Sequence, residues 1–191
     1  MNETDFLQRL NHIRRVKSEA DYPLRTAGKP AGVLIPIVRH DDALSLLLTR
    51  RALHLRHHPG QISFPGGRME DHDDNAAAAA LRETHEEIGI PAQEVEIVGQ
   101  LPEYRTISGY TMQPVIGMLN PNLPLALDTN EVEEAFEVPL SYALDRQNHF
   151  IHWVERGSYR HPIYFIPFKE TYIWGATAAL IRTLSNHIMA D

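Results

Sequence analysis

The chain has no cysteine, which excludes disulfides, thiolate nucleophiles and cysteine-based zinc sites. It has no apolar run near the roughly 20 residues that a membrane span needs. It has no basic excess either. Twenty-five acidic residues outnumber 18 basic ones, for a net charge of −7. No global field therefore draws in nucleic acid or an anionic membrane, and neither is expected as a partner. The N-terminus lacks a signal-peptide core and carries Glu3 and Asp5, which argues against a transit peptide. Together these absences predict a cytoplasmic protein. No internal repeat is present, and the only low-complexity tract is a run of alanines.

What is there suits one domain of 191 residues with 43% hydrophobic residues, enough for a real core. The chain is organised around residues 66–90, GGRMEDHDDNAAAAALRETHEEIGI. This stretch reads as a turn, a helix and a second turn. Ala76 to Leu81 are strong helix formers. Asp73, Asp74 and Asn75 are N-cap candidates, and Gly89 followed by Pro91 is a stop signal. Near the end of the helix Glu83, Glu86 and Glu87 are spaced i, i+3, i+4 and share one face.

Three carboxylates on one face repel each other, and a helix C-terminus disfavours negative charge. A hard divalent cation removes that conflict, since Mg²⁺ is held by a few carboxylates with substrate phosphate oxygens and water. A charged surface helix is the plain alternative. The Gly-Gly turn and the Arg82-Glu83 pair favour the cation site.

These residues resemble the Nudix hydrolase motif, G-x5-E-x7-R-E-U-x-E-E-x-G-U, where U is a bulky aliphatic. Arg82, Glu83, Glu86, Glu87, Gly89 and Ile90 fall in register. Asp74 stands at the upstream glutamate, Thr84 replaces an aliphatic, and Gly67 lies one residue too far upstream. The resemblance implies an α/β fold: a Nudix-type α/β/α sandwich with a mixed central sheet and a catalytic loop-helix-loop. It gives Glu83, Glu86 and Glu87 the role of ligands to Mg²⁺ or Mn²⁺. Arg82 is expected to brace the glutamates and the preceding loop. Glu83 is the first candidate to orient or deprotonate the attacking water. Glu131, reaching the cluster from outside the helix, is the alternative.

Along the rest of the chain, residues 2–19 read as an amphipathic helix with Phe6, Leu7, Leu10, Ile13 and Val16 on one side. Residues 20–31 form a connector, so residues 1–29 are a helix and linker ahead of the main body. Gly32–Arg39 and Leu44–Arg51 read as a hairpin buried on both faces, although Pro36 favours an edge or a bulge. Gln61–Phe64, Val95–Leu101, Thr111–Leu119, His149–Glu155, Tyr159–Phe168 and Thr171–Trp174 read as further strands. Glu131–Val138 begins as loop and ends as strand. Ser141–Asp145 is a short helix. Thr177–Met189 is the closing helix, within a terminal segment of residues 175–191.

The loop at residues 52–67 is basic in an acidic protein. His54, Arg56, His57 and His58, with Arg50 and Arg51 just before them, form a basic patch. The four loop side chains suit phosphate, because arginine binds it in a fork and imidazole donates to it. Arg50 is counted with Arg56, His57 and His58 as a substrate contact, a plain surface loop being the alternative. Gly66 and Gly67 let the backbone approach a ligand closely. The run Leu47-Leu48-Thr49-Arg50, then Leu55 to Gly67 with Arg56, His57, His58 and Gln61, resembles the coenzyme A diphosphatase branch of the Nudix hydrolases. That branch also has the extra loop residue and an aspartate at the position of Asp74. The resemblance implies metal-dependent cleavage of coenzyme A or its derivatives to 4′-phosphopantetheine and adenosine 3′,5′-bisphosphate. The partner is then a small diphosphate substrate, and the protein is a monomer or homodimer. Two other functions compete: a pyrophosphatase for ADP-ribose, NADH or related nucleotides, and a Nudix-like sensor that binds a nucleotide without cutting it.

Overall fold

A computed structural model describes residues 1–12, 18–19, 27–157 and 159–189. In chain order the elements are α1 (Glu3–Leu10), β1 (Lys29–Arg39), β2 (Leu44–Arg51), β3 (Ile62–Ser63), β4 (Gly66–Arg68) and α2 (Ala76–Ile88). Then follow β5 (Glu96–Gln100), β6 (Tyr104–Arg105), β7 (Tyr110–Leu119), β8 (Val132–Pro139) and α3 (Leu140–Leu144). The chain closes with β9 (Phe150–Arg156), β10 (Tyr159–Phe168), β11 (Thr171–Trp174) and α4 (Ala176–Ile188).

The central sheet is mixed. Its main path is β3-β2-β1-β7-β5, with β8 on β2, β4 on β1 and β6 on β7. β1 and β7 run parallel, and the other pairs are antiparallel. A second, three-stranded sheet has the order β11-β10-β9.

Residues of β1 and β2 point alternately to the two sides of the sheet, and both sides are buried. Val33, Ile35, Ile37, Leu46 and Leu48 face a core shared with α1, α3, α4 and the second sheet. Leu34, Val38 and Leu47 face a second core with Ala80, Ile88 and Ile90 from α2 and its end. The result is an α/β/α sandwich, as the buried hairpin and the two amphipathic helices require. Among the described residues, no helix is long and apolar enough to cross a membrane.

Three expectations need correction. Pro36 lies in a central strand, neither at an edge nor in a bulge. Leu34 directs its N–H toward Pro65 O, so Pro36, two residues on, faces the same side. There β4 pairs only with residues 31–33 of β1 and β2 only with residues 37–39, so no ladder donor is missing. The first helix stops at Leu10, capped by Asn11, a weak helix former; its expected residues Ile13 and Val16 lie outside the described residues. Gly66–Arg68 is a strand on β1 and not a turn.

Candidate active site

The catalytic helix candidate is α2. Asn75, not Asp73 or Asp74, is its N-cap, its side-chain oxygen accepting from Ala78 N–H at 3.0 Å. Gly89 ends it in the left-handed region at φ 77°. The helix lies directly on β1: a Cβ at Gly32 would sit 1.9 Å from the Ala76 carbonyl oxygen. Thr84, where the family pattern has an aliphatic, is buried and donates its hydroxyl to Ala80 O at 2.6 Å. The hydroxyl is thus satisfied within the helix, and a polar residue is tolerated in the core.

Arg82 is the hub of the acidic side chains. Its Nε and Nη2 donate to the two carboxylate oxygens of Asp73, at 3.1 and 3.0 Å. Nη2 also donates to Arg68 O at 3.1 Å. Nη1 donates to Glu83 Oε1 and to Glu86 Oε2, both at 2.9 Å. The guanidinium so joins β4, the loop after it and two of the three helix glutamates. Its hydrogen bonds hold the Asp73 carboxyl below the usual carboxylate range. Asp73 was legible only as a cap candidate. Asp74, the residue aligned with the family's upstream glutamate, is exposed.

The three helix glutamates occupy different environments. Glu86 is exposed. Glu83 is half-buried against Gly67, where a Cβ would meet the Glu83 carboxylate at 2.4 Å. Burial raises the Glu83 carboxyl despite the neighbouring Arg82. Glu87 is buried and accepts from the Gly66 N–H, but its Oε2 has no partner. Burial, then the charges of Glu83 and Glu131, push the Glu87 carboxyl up to about 8, against the opposing pull of Arg51. Glu131, just before β8, therefore acts on the same spot from outside the helix. Among the described residues no three acidic or imidazole side chains are gathered about one point so as to hold a metal ion. Glu86 accepts from Arg82 Nη1, while Glu87 turns in toward the Gly66 N–H.

The residues nonetheless fit a hard divalent cation. Glu87 Oε2 is an acceptor without a donor, and Glu83 and Glu131 lie close enough to repel it. All three offer oxygen, the donor that Mg²⁺ and Mn²⁺ prefer. A cation there removes the cost of ionising Glu87.

The basic segment divides in two. The register of β2 and β8 shifts between Arg50 and Arg51. Arg51 pairs with Val132, on the α2 side, and its charge reaches Glu87. Arg50 pairs with Glu134, on the opposite face, its Nε donating to Glu134 Oε1 at 2.8 Å. Arg50 was expected in the phosphate site; Arg51 is the arginine on the side of the carboxylates. Arg56, His57 and His58 are exposed, and among the described residues no hydrogen bond or ion pair ties them to the carboxylates. Their loop is anchored beside Glu131, because Ala52 N–H donates to Glu131 O at 2.8 Å and His54 Nε2 lies 3.1 Å from Asn130 O. Gln61 sits at the start of α4, its amide nitrogen 3.6 Å from where a Gly175 Cβ would be.

The family model described as NUDIX domain matches residues 28–156, and the chain belongs to the Nudix family. Within that family it is similar over nearly its whole length to a protein of Enterobacter sp. (strain 638) named "Uncharacterized Nudix hydrolase NudL". The two are 40% identical over 184 residues, 96% of this chain and 93% of the relative. The protein of the same name from Escherichia coli (strain K12) is 42% identical over 160 residues, 84% of this chain and 83% of the relative. Among solved structures, the Nudix hydrolase RenU of M. smegmatis superposes with a TM-score of 0.51 at 25% identity, over 66% of this chain and 79% of that one. An Ap4A hydrolase of C. elegans, solved as a binary complex, superposes with a TM-score of 0.51 at 19% identity, over 58% of this chain and 80% of that one. At that identity the likeness concerns the fold alone.

Proposed function

We propose that this Nudix hydrolase cleaves the diphosphate of coenzyme A or a derivative, giving 4′-phosphopantetheine and adenosine 3′,5′-bisphosphate. The observation that carries a hydrolytic site is the partnerless, buried Glu87 Oε2 beside the charges of Glu83 and Glu131. Support for coenzyme A comes from the segment Leu47–Arg50 and Leu55–Gly67, which the pyrophosphatase readings for ADP-ribose or NADH leave unexplained.

Glu83 and Glu87, joined by Glu131 or Glu86, would hold Mg²⁺ or Mn²⁺. Bound there, the ion would neutralise phosphoryl oxygens and make water more acidic. The protein's own share is positional. Arg82 fixes Glu83 through Oε1 and ties it to Asp73 and Arg68. Gly67, lacking a Cβ, leaves room for that carboxylate against the strand. Arg51 supplies positive charge on the same side, suited to phosphate oxygens. In the reaction, a water oxygen bonds to one phosphorus and the bridging P–O bond breaks. The water proton passes to a carboxylate, Glu83 or Glu131, and then to solvent.

The test is a substrate panel under Mg²⁺ and under Mn²⁺: coenzyme A, acyl-coenzyme A, oxidised coenzyme A, ADP-ribose and NADH. Highest kcat/KM on a coenzyme A species is expected. Faster cleavage of ADP-ribose or NADH defeats the substrate assignment. No cleavage of any of them, with binding retained, makes the protein a sensor.

A further inference from the structure

The last two carbonyls of α2 are bound by a segment that leads into Glu131. A helix leaves its final carbonyls without partners of its own. Here Ala126 N–H donates to Ile88 O and Asp128 N–H donates to Glu87 O, both at 3.0 Å. The segment lies close on the helix end: a Cβ on Gly89 would sit 2.7 Å from Ala126 Cβ. Leu123 and Leu127 pack against the core between α2 and the sheet.

Asp128 then closes a turn in front of Glu131. Its carbonyl accepts from Glu131 N–H at 2.9 Å and from Val132 N–H at 2.8 Å. Its side-chain Oδ1 accepts from Asn130 twice, from the backbone N–H at 2.9 Å and from Nδ2 at 2.8 Å. One residue therefore binds the backbone of Glu87 through its N–H and the backbone of Glu131 through its carbonyl. Glu131 is exposed, and among the described residues no hydrogen bond or ion pair holds its carboxylate. Its place beside Glu87 is thus set by where its backbone is held. A misplacement of about 1 Å at such a group can cost on the order of a hundredfold in rate.

We propose that Asp128 is a positioning residue for the reaction, which sets Glu131 against Glu87 by tying both backbones and holding the turn shut with its side chain. The proposal rests on the reading that Glu87 and Glu131 belong to a hydrolytic site. A residue that merely capped α2 would need only its N–H, and its side chain could change without effect on the reaction.

The test is a double-mutant cycle of Asp128→Ala with Glu131→Gln. It is read in kcat and KM on the best substrate of the panel, and in Mn²⁺ affinity by electron paramagnetic resonance, which needs no substrate. Asp128→Ala keeps the N–H and the carbonyl and removes Oδ1. It is expected to lower kcat roughly tenfold or more, with KM within about twofold. Asp128→Asn keeps an Oδ1 acceptor and should recover most of that loss. In whichever readout Glu131→Gln changes, Asp128→Ala should add less than about twofold on top of it, because both act through one carboxylate. Should Asp128→Ala melt early, Asn130→Ala, which removes only the Nδ2 bond, takes its place in the cycle with a smaller loss. The proposal is overturned if the two losses multiply in full or if Asp128→Asn falls as far as Asp128→Ala. It is also overturned if Asp128→Ala behaves as wild type while Glu131→Gln changes either readout; the functional reading then stands. If Glu131→Gln changes neither, the reading that puts Glu131 in the site fails and takes the proposal with it.

Discussion

Asp73 and Arg82 form a two-point ion pair, each carboxylate oxygen receiving one guanidinium N–H, at 3.1 and 3.0 Å. The Asp73 side chain is only 3% exposed and that of Arg82 17%. The same guanidinium holds Glu83, so the loop before α2 and the candidate catalytic carboxylate share one anchor. Asp73→Asn leaves Arg82 half-paired. The expected loss is about 1–3 kcal/mol of stability, because the pair is screened from water but not fully buried. Activity falls with it, while Asp74→Asn stays within about 0.5 kcal/mol of wild type. Denaturant melts of the two variants check this.

The pH dependence of the metal-free protein follows from Glu87. Its carboxyl is raised from 4.5 to about 8 in the fold. Between those limits the folded state binds a proton that the unfolded state has released. Stability is therefore fully present below the lower limit and is lost as pH rises to the upper one, by up to about 1.4 kcal/mol per pH unit. Thermal melts from pH 5 to pH 9 in EDTA should show this slope. Glu87→Gln should flatten it, since the amide does not ionise.

Metal binding has the opposite sign. A cation needs the ionised Glu87, so Mn²⁺ affinity is expected to rise as pH approaches about 8. Titration followed by electron paramagnetic resonance measures it. Mn²⁺ should restore the high-pH melting temperature of the wild type by mass action and leave Glu87→Gln unmoved. The same variant should lose roughly a hundredfold or more in kcat. An affinity independent of pH would remove Glu87 from the ligand set.

Two glycine variants separate fold from site. Gly67→Ala places a methyl 2.4 Å from the Glu83 carboxylate, the mobile end of a side chain. It should keep its melting temperature within a few degrees and lose roughly tenfold or more in kcat. Gly32→Ala places a methyl 1.9 Å from the Ala76 carbonyl oxygen, which is helix backbone. It should be destabilised by about 3 kcal/mol, as overpacking at a rigid contact is. Equal effects of the two on melting would contradict this division.

What could be read without the fold was local. Helical spacing put Glu83, Glu86 and Glu87 within reach of one another, and the alanine run with Asn75 and Gly89 bounded α2. Two unbroken apolar runs indicated a hairpin covered on both sides. Helix periodicity and capping depend on residues a few positions apart, so the linear order carries them. Strand pairing does not work this way. The bulge in β8, which skips Glu133, sets Val132 and Glu134 on opposite faces beside Arg51 and Arg50, and no count along the chain reveals it. The same is true of Asp73 rather than Asp74 meeting Arg82, and of Pro36 in a sheet interior. The family motif and the bounds of α2 were thus set by the order of residues. Which carboxylate is driven to protonate, and which arginine faces it, was decided by the tertiary structure, because desolvation and charge act through space between segments the chain keeps far apart.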